Sequence, residues 1–268
     1  CSMTRTGRLS KPSVSPSEYP VTMFAHPTHS PRPRRKWRLR TKILIAIGAT
    51  LVAVVAAGGV WYYFVFEPPP PTAASGKKHI AAVGDSNTYG AGVLFASRTQ
   101  NSYPDQLQKL LGQDYQVLNY GLNGRTLLSS GDTPYDKNKF WSLSHDVKPD
   151  VVLIMLGTND TKPQNWNAEA YEQQLADMVA SYTGLPNHPD VYLLTPPAAW
   201  ANTFGIDPDI VQNGVVPIVE RVAAQHNLPV IDIFAATQGK QQLFKDGVHP
   251  DAAGYGIIAR TVADALTP

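Results

Sequence analysis

Four short blocks of this sequence carry residues able to do acyl-transfer chemistry. Ser86 stands in "AAVGDSNTYGAG" (81–92), Gly124 in "LNYGLNGRT" (118–126), Asn159 in "LGTND" (156–160), and Asp246 and His249 in "DGVHP" (246–250). A serine hydroxyl is a weak nucleophile and needs a neighbouring base, itself held in one orientation. His249 suits that task. Pro250 biases His249 towards extended backbone and can open a helix at its own position. Asp246 lies three residues earlier, and Gly247 permits the tight turn that brings its carboxylate to the imidazole. An acyl transfer also needs donors for the developing oxyanion. The backbone N–H groups of Ser86 and Gly124 and the side-chain amide of Asn159 could supply three.

Competing readings of the 81–92 stretch fail on spacing. A phosphate-binding loop of the G-x-x-x-x-G-K-[ST] type needs a lysine that is absent, and Gly84, Gly90 and Gly92 lack the G-x-G-x-x-G interval of a dinucleotide site. The G-x-S-x-G elbow of lipases also fails, because Gly84-Asp85 precede Ser86 and Asn87-Thr88 follow it. Taken alone, Ser86 has the bland alternative of capping the next helix. Asp85 and Asp160 read as structural carboxylates that tie loop backbone. Arg125 reads as a solvated helix start or a contact for an anionic substrate. His79, His145, His188 and His226 show no metal-ligand spacing, so neither a metal nor another cofactor is expected.

The elements that must position these residues are legible from His79 onward. Short apolar runs at Ile80–Val83, Gln116–Asn119, Val151–Leu156, Val191–Leu194 and Val230–Ile233 predict buried strands. Between them, Tyr171, Leu175, Met178, Val179 and Tyr182 fall at i, i+4, i+7, i+8 and i+11, and Ile258, Val262, Ala265 and Leu266 begin the same pattern. Alternating strands and helices predict a parallel sheet covered on both faces, a three-layer α/β/α domain over 79–268. Ligands of such sheets bind beyond the carboxyl ends of the strands. Ser86, Gly124 and Asn159 follow predicted strands one, two and three, and His249 precedes the last helix.

At this point the chain resembles the SGNH (GDSL-type) hydrolases. Gly84-Asp85-Ser86, Gly124 in "NYGLNG", Gly157-x-Asn159-Asp160 and Asp246-x-x-His249 match that family's four signature blocks, in order, across nearly all of 79–266. The resemblance implies a flavodoxin-like sheet of about five strands and a Ser–His–Asp esterase, with Ser86, Gly124 and Asn159 as the oxyanion hole. Asn87 departs from the family's usual leucine at that position. Within the family, "TLLSSGDTPY" and "LGTNDTKPQNW" are similar to the carbohydrate O-acetylesterases related to sialate O-acetylesterases. That likeness implies an acylated carbohydrate as substrate, with Tyr135, Trp166 and Trp200 as candidate walls for a sugar, their alternative being ordinary loop packing. An O-acyltransferase with the same triad, a lipase- or thioesterase-type hydrolase, and an inert glycan-binding module are the rival readings.

The rest of the chain bounds location and partners. Residues 1–42 carry 10 Lys+Arg against one acid, Glu18, a net of +9; the remainder carries 13 against 20, a net of −7. The basic balance therefore belongs to the tail, and an acidic folded part is a poor partner for nucleic acid. Residues 1–42, rich in Ser, Thr, Pro and Arg, predict a disordered basic tail. Residues 43–66 are 24 uncharged, almost wholly apolar residues. As a helix they would reach roughly 36 Å, enough to cross a bilayer core of about 30 Å. Trp61, Tyr62 and Tyr63 crowd one end, while Arg32, Arg34, Arg35, Lys36, Arg38, Arg40 and Lys42 crowd the other. This predicts an anchor with a cytoplasmic N-terminus and an extracytoplasmic catalytic domain. The alternative is a secreted protein cut near Ala74. Residues 67–78, "EPPPPTAASGKK", read as a linker, stiff at the prolines and flexible after them. Cys1 is the single cysteine, which excludes a disulfide within the chain, and its place at position 1 suggests an upstream truncation.

Overall fold

The computed structural model describes residues 34–94 and 98–267, so Cys1 and most of the basic tail lie outside the described residues. The chain divides into two compact units, Cys1–Val54 and Val55–Pro268. In chain order come helix α1 (Arg34–Phe66), strand β1 (Lys78–Gly84), helices α2 (Ser86–Tyr89), α3 (Arg98–Asn101) and α4 (Tyr103–Leu111), and strand β2 (Tyr115–Gly121). Helix α5 (Lys139–Asp146), strand β3 (Val151–Met155), helix α6 (Ala168–Thr183) and strand β4 (Asp190–Leu194) follow. Helices α7 (Pro208–Ile210) and α8 (Val216–His226), strand β5 (Val230–Ile231), and helices α9 (Ile233–Thr237) and α10 (Ala252–Leu266) complete the chain.

All five strands run parallel, in the order β2-β1-β3-β4-β5. This is the flavodoxin-like arrangement, whose strand order reverses direction between β1 and β3. Successive side chains of a strand point to opposite faces, so β1 feeds two cores at once. Ala81 and Val83 join Val152 and Ile154 beneath Tyr171, Leu175 and Val179 of α6 and Val219 and Val222 of α8. Ile80 and Ala82 join Leu153 and Met155 beneath Leu107 of α4 and Ile258, Ala259 and Val262 of α10. A sheet buried on both faces requires strands apolar on both sides, which is why these runs do not alternate with polar residues.

Two of the boundaries that differ from the sequence reading have a local cause. The last strand ends at Ile231, because the Asp232 side chain accepts the Ala235 N–H at 3.0 Å and turns the chain into α9. Helix α1 starts at Arg34, inside the segment expected to lack order. Arg, Lys and Leu are good helix formers, and extending a nucleated helix is easy compared with starting one. Residues 37–66 have a mean hydropathy of 2.5 over their most apolar stretch, and among the described residues this is the one helix long and apolar enough to cross a membrane.

The stretch after the prolines is also less free than its composition suggests. Gln116 of β2 donates to the Thr72 carbonyl at 2.9 Å and accepts from the Ala74 N–H at 2.6 Å. One amide side chain thus substitutes for a neighbouring strand at this edge of the sheet.

Candidate active site

Strand β1 ends at Gly84, and the chain turns at once into α2. Asp85 caps that turn: its carboxylate accepts the Asn87 N–H at 2.8 Å, and its carbonyl accepts from Tyr89 at 2.9 Å. Ser86 is therefore the first helical residue, 6 % exposed at the carboxyl edge of the sheet. Burial pushes the Asp85 carboxyl up to about 6, against the opposing Asn87 hydrogen bond. Its role in the structure is that of a cap. Asn87, the departure from the family pattern, is fully buried and donates to the Thr158 hydroxyl at 3.4 Å across the β1–β3 crevice.

The residues 163 positions away arrive at the same place. His249 Nε2 lies 2.9 Å from Ser86 Oγ, and His249 Nδ1 lies 2.7 Å from Asp246 Oδ2. The other Asp246 oxygen accepts the backbone N–H groups of Val248 at 2.9 Å and His249 at 2.8 Å. Burial alone would raise this carboxyl, but the His249 ring and those two N–H donors outweigh it and hold Asp246 at about 2. A carboxylate this acidic stays ionised at neutral pH and fixes the imidazole tautomer with Nδ1–H towards Asp246, leaving Nε2 as the acceptor facing Ser86.

Two glycines make the convergence possible. A Cβ on Gly92 would meet the Pro250 carbonyl oxygen at 1.9 Å, so only glycine lets the loop after α2 lie against the loop carrying His249. Gly124 has φ +74°, a left-handed conformation that side chains resist.

The third strand contributes through its own loop. Asn159 Nδ2 donates to the Arg125 carbonyl at 3.1 Å, which uses one of its two amide hydrogens. Asp160 accepts from Leu127 at 2.9 Å and Leu128 at 2.8 Å, tying the loop after β2 to the loop after β3. Burial raises the Asp160 carboxyl to about 7 against those two donors, and the nearby Asp85 charge adds to the rise. Ser86, Gly124, Asn159 and His249 all line one cavity of about 340 Å³.

The three aromatic candidates for a sugar wall are not in that cavity. Tyr135 is fully buried, its hydroxyl donating to the Tyr120 carbonyl at 2.8 Å, so its ring belongs to the core and cannot meet a substrate. Trp166 packs on Tyr171, with ring centroids 5.7 Å apart, and against the α6–α8 core. The backbone N–H of Trp200 donates to the Gly247 carbonyl at 2.7 Å, on the loop that carries His249. The aromatic residues that do line the cavity are Trp61, Phe66 and Phe204. Phe204 is 62 % exposed, with its ring 5.5 Å from that of His249 and φ +60°, a conformation uncommon for a bulky residue. Its position beyond the carboxyl end of β4 was the available signal. Arg125 pairs with Glu67 at 3.1 Å.

A flavodoxin-like parallel sheet thus carries a serine, an imidazole and a carboxylate in series at its carboxyl edge. Residues 82–257 match the model of the GDSL-like lipase/acylhydrolase family, and the chain belongs to that family. It is 34% identical over 206 residues to an acetylxylan esterase of Xylanibacter ruminicola, covering 70% of this chain and 42% of that protein. The chain thus spans less than half the length of this curated relative. Among solved structures it is similar to Est24, a carbohydrate acetylesterase from Sinorhizobium meliloti, with 19% identity, TM-score 0.56, and 71% of this chain and 98% of that one covered. A native aryl esterase of M. smegmatis is similar at 21% identity and TM-score 0.56, over 70% of this chain and 98% of that one. At these identities the structural likeness bears on the fold.

Proposed function

We propose that this protein is a serine esterase that removes small acyl groups, O-acetyl foremost, from carbohydrate, held at the outer face of a membrane by residues 43–66. The observation that carries the reading is the series Asp246–His249–Ser86, with hydrogen bonds of 2.7 and 2.9 Å at the carboxyl edge of the sheet.

In this reading His249 Nε2 takes the Ser86 proton as Oγ attacks the ester carbonyl carbon. The carbonyl electrons move onto oxygen, where the N–H groups of Ser86 and Gly124 and the free amide hydrogen of Asn159 receive them. Collapse breaks the bond to the alcohol, His249 returns its proton to the departing oxygen, and the acyl group stays on Ser86. Water then repeats the sequence, with His249 as base, and releases the acid. The acetylxylan esterase relative supports an acetylated carbohydrate as the substrate.

The cavity favours a second reading as well. Val65, Ile206, Val248, Leu94, Phe66 and Phe204 are among its lining residues, and such a surface suits an ester with an apolar acyl or aryl part more than a bare sugar face. The test is a fluorophosphonate probe followed by an ester panel. Wild type should label at Ser86 and release acetate from acetylated sugars; a preference for long-chain or aryl esters over every sugar ester would move the assignment to the lipase-type reading. Failure of the wild type to label would overturn the esterase assignment.

A further inference from the structure

The end of α1 is bound to the catalytic loops by side chains that flank the candidate site. A helix leaves its last carbonyls without partners of their own, and these must be satisfied from elsewhere. Here Tyr89, three residues after Ser86, donates its hydroxyl to the Phe64 carbonyl at 2.7 Å, and Asn123, next to Gly124, donates to the Val65 carbonyl at 2.5 Å. Glu67 then pairs with Arg125 at 3.1 Å and accepts from Asn138 at 3.2 Å. Four residues of the catalytic unit are committed to holding one turn of helix and the residue after it.

That turn faces chemistry. Trp61, Val65 and Phe66 line the same 340 Å³ cavity as Ser86 and His249. Trp61, Val65 and Leu94 also line a neighbouring apolar cavity of about 620 Å³, bounded by Ala57, Val60, Phe64 and Pro69. These shared residues partition the two spaces. The ester's orientation follows from the proton path. The leaving alcohol must lie within reach of His249, whose ring is 5.5 Å from that of Phe204, which leaves the part of the cavity lined by Asn123 and Val65 for the acyl group.

We propose that Trp61, Val65 and Phe66 are specificity-determining residues, the wall that closes the acyl side of the pocket and restricts it to short chains. The inference rests on the esterase reading above. The membrane-proximal helix is then part of the active site, and acyl length is set by residues outside the segment that matches the family.

The test uses the full chain in detergent and p-nitrophenyl esters from acetate to octanoate. Wild type should favour acetate. Trimming the wall in Trp61→Ala/Phe66→Ala should raise the octanoate-to-acetate ratio of kcat/KM by about tenfold, the scale on which apolar pockets discriminate chain length. Val65→Trp, which adds bulk, should lower the butyrate-to-acetate ratio and keeps the idea testable if the double variant does not fold, as read by its thermal midpoint. Ratios within twofold of wild type in folded variants, or a wild type that takes octanoate as readily as acetate, would overturn the wall. A wild type that neither labels nor hydrolyses any ester would overturn the esterase reading itself, which is a different result.

Discussion

At the scale of single residues the candidate site is a chain of charge-directed hydrogen bonds. Asp246 is held ionised beside His249, and in the proposed mechanism it orients the imidazole and stabilises the imidazolium that forms when Ser86 loses its proton. Asp246→Asn should lower kcat by on the order of 10⁴, since an amide reverses the tautomer preference. Steady-state kinetics beside probe labelling checks this. Asn159→Ala should lower kcat by about 10²–10³ with KM little changed, because its amide acts on charge that exists in the transition state alone. A KM effect of similar size would instead make Asn159 a substrate-binding residue. Ser86, Asn159, Asp246 and His249, which the structure brings to one edge of the sheet, were legible in the sequence because blocks that are weak singly stand in one order after predicted strands and before the last helix. The aromatic residues around them were not. Tyr135 and Phe204 are both loop aromatics in the sequence, and tertiary packing alone sends one into the core and leaves the other beside His249.

At the scale of elements, loops from opposite ends of the domain have to touch. The Gly92–Pro250 approach is the tightest of these contacts around the site. In Gly92→Ala a Cβ would sit 1.9 Å from a backbone oxygen, so one loop must shift and take His249 off Ser86. A displacement of about 1 Å at a reacting group costs on the order of 10² in rate. Gly92→Ala should therefore lose kcat by that order, while a serine-reactive probe measures how far Ser86 activation falls with it. An unchanged kcat would mean that this contact does not position the imidazole. Strand existence was readable from apolar runs, but strand ends were not. The end of β5 depends on Asp232 finding the Ala235 N–H, a local competition that apolar periodicity does not register.

At the scale of the whole molecule, buried carboxyls make stability depend on pH in two opposite senses. Asp85 and Asp160 bind a proton more tightly folded than unfolded, at about 6 and about 7. Their contribution is best below the ordinary carboxylate range near pH 4 and is lost as pH rises through 6 to 7. Asp246 behaves in reverse: its contribution is present above about pH 4 and is lost as pH falls towards 2. Thermal midpoints followed from pH 2 to 8 should pass through a maximum on the weakly acidic side. Asp160→Asn should flatten the upper limb, and Asp246→Asn the lower one. A midpoint that rises steadily from pH 4 to 7 in wild type would contradict this account. The apolar helix carries its own expectation: the full chain should stay with the membrane fraction after alkaline extraction. Recovery of a soluble chain beginning near Ala74 would favour the secreted alternative.

The sequence by itself determined the parallel α/β class, the number of strands and the loops on which chemistry falls. Those follow from periodicity and from the rule that ligands sit beyond the carboxyl ends of strands, both of which act locally. The tertiary structure alone decided which aromatic residues face the cavity and that the end of α1 closes it. Such facts depend on which residues, far apart in the chain, lie against one another. Trp61, Val65 and Phe66 read as membrane residues on composition, and the bonds from Tyr89, Asn123, Arg125 and Asn138 to the helix end and Glu67 hold them beside Ser86.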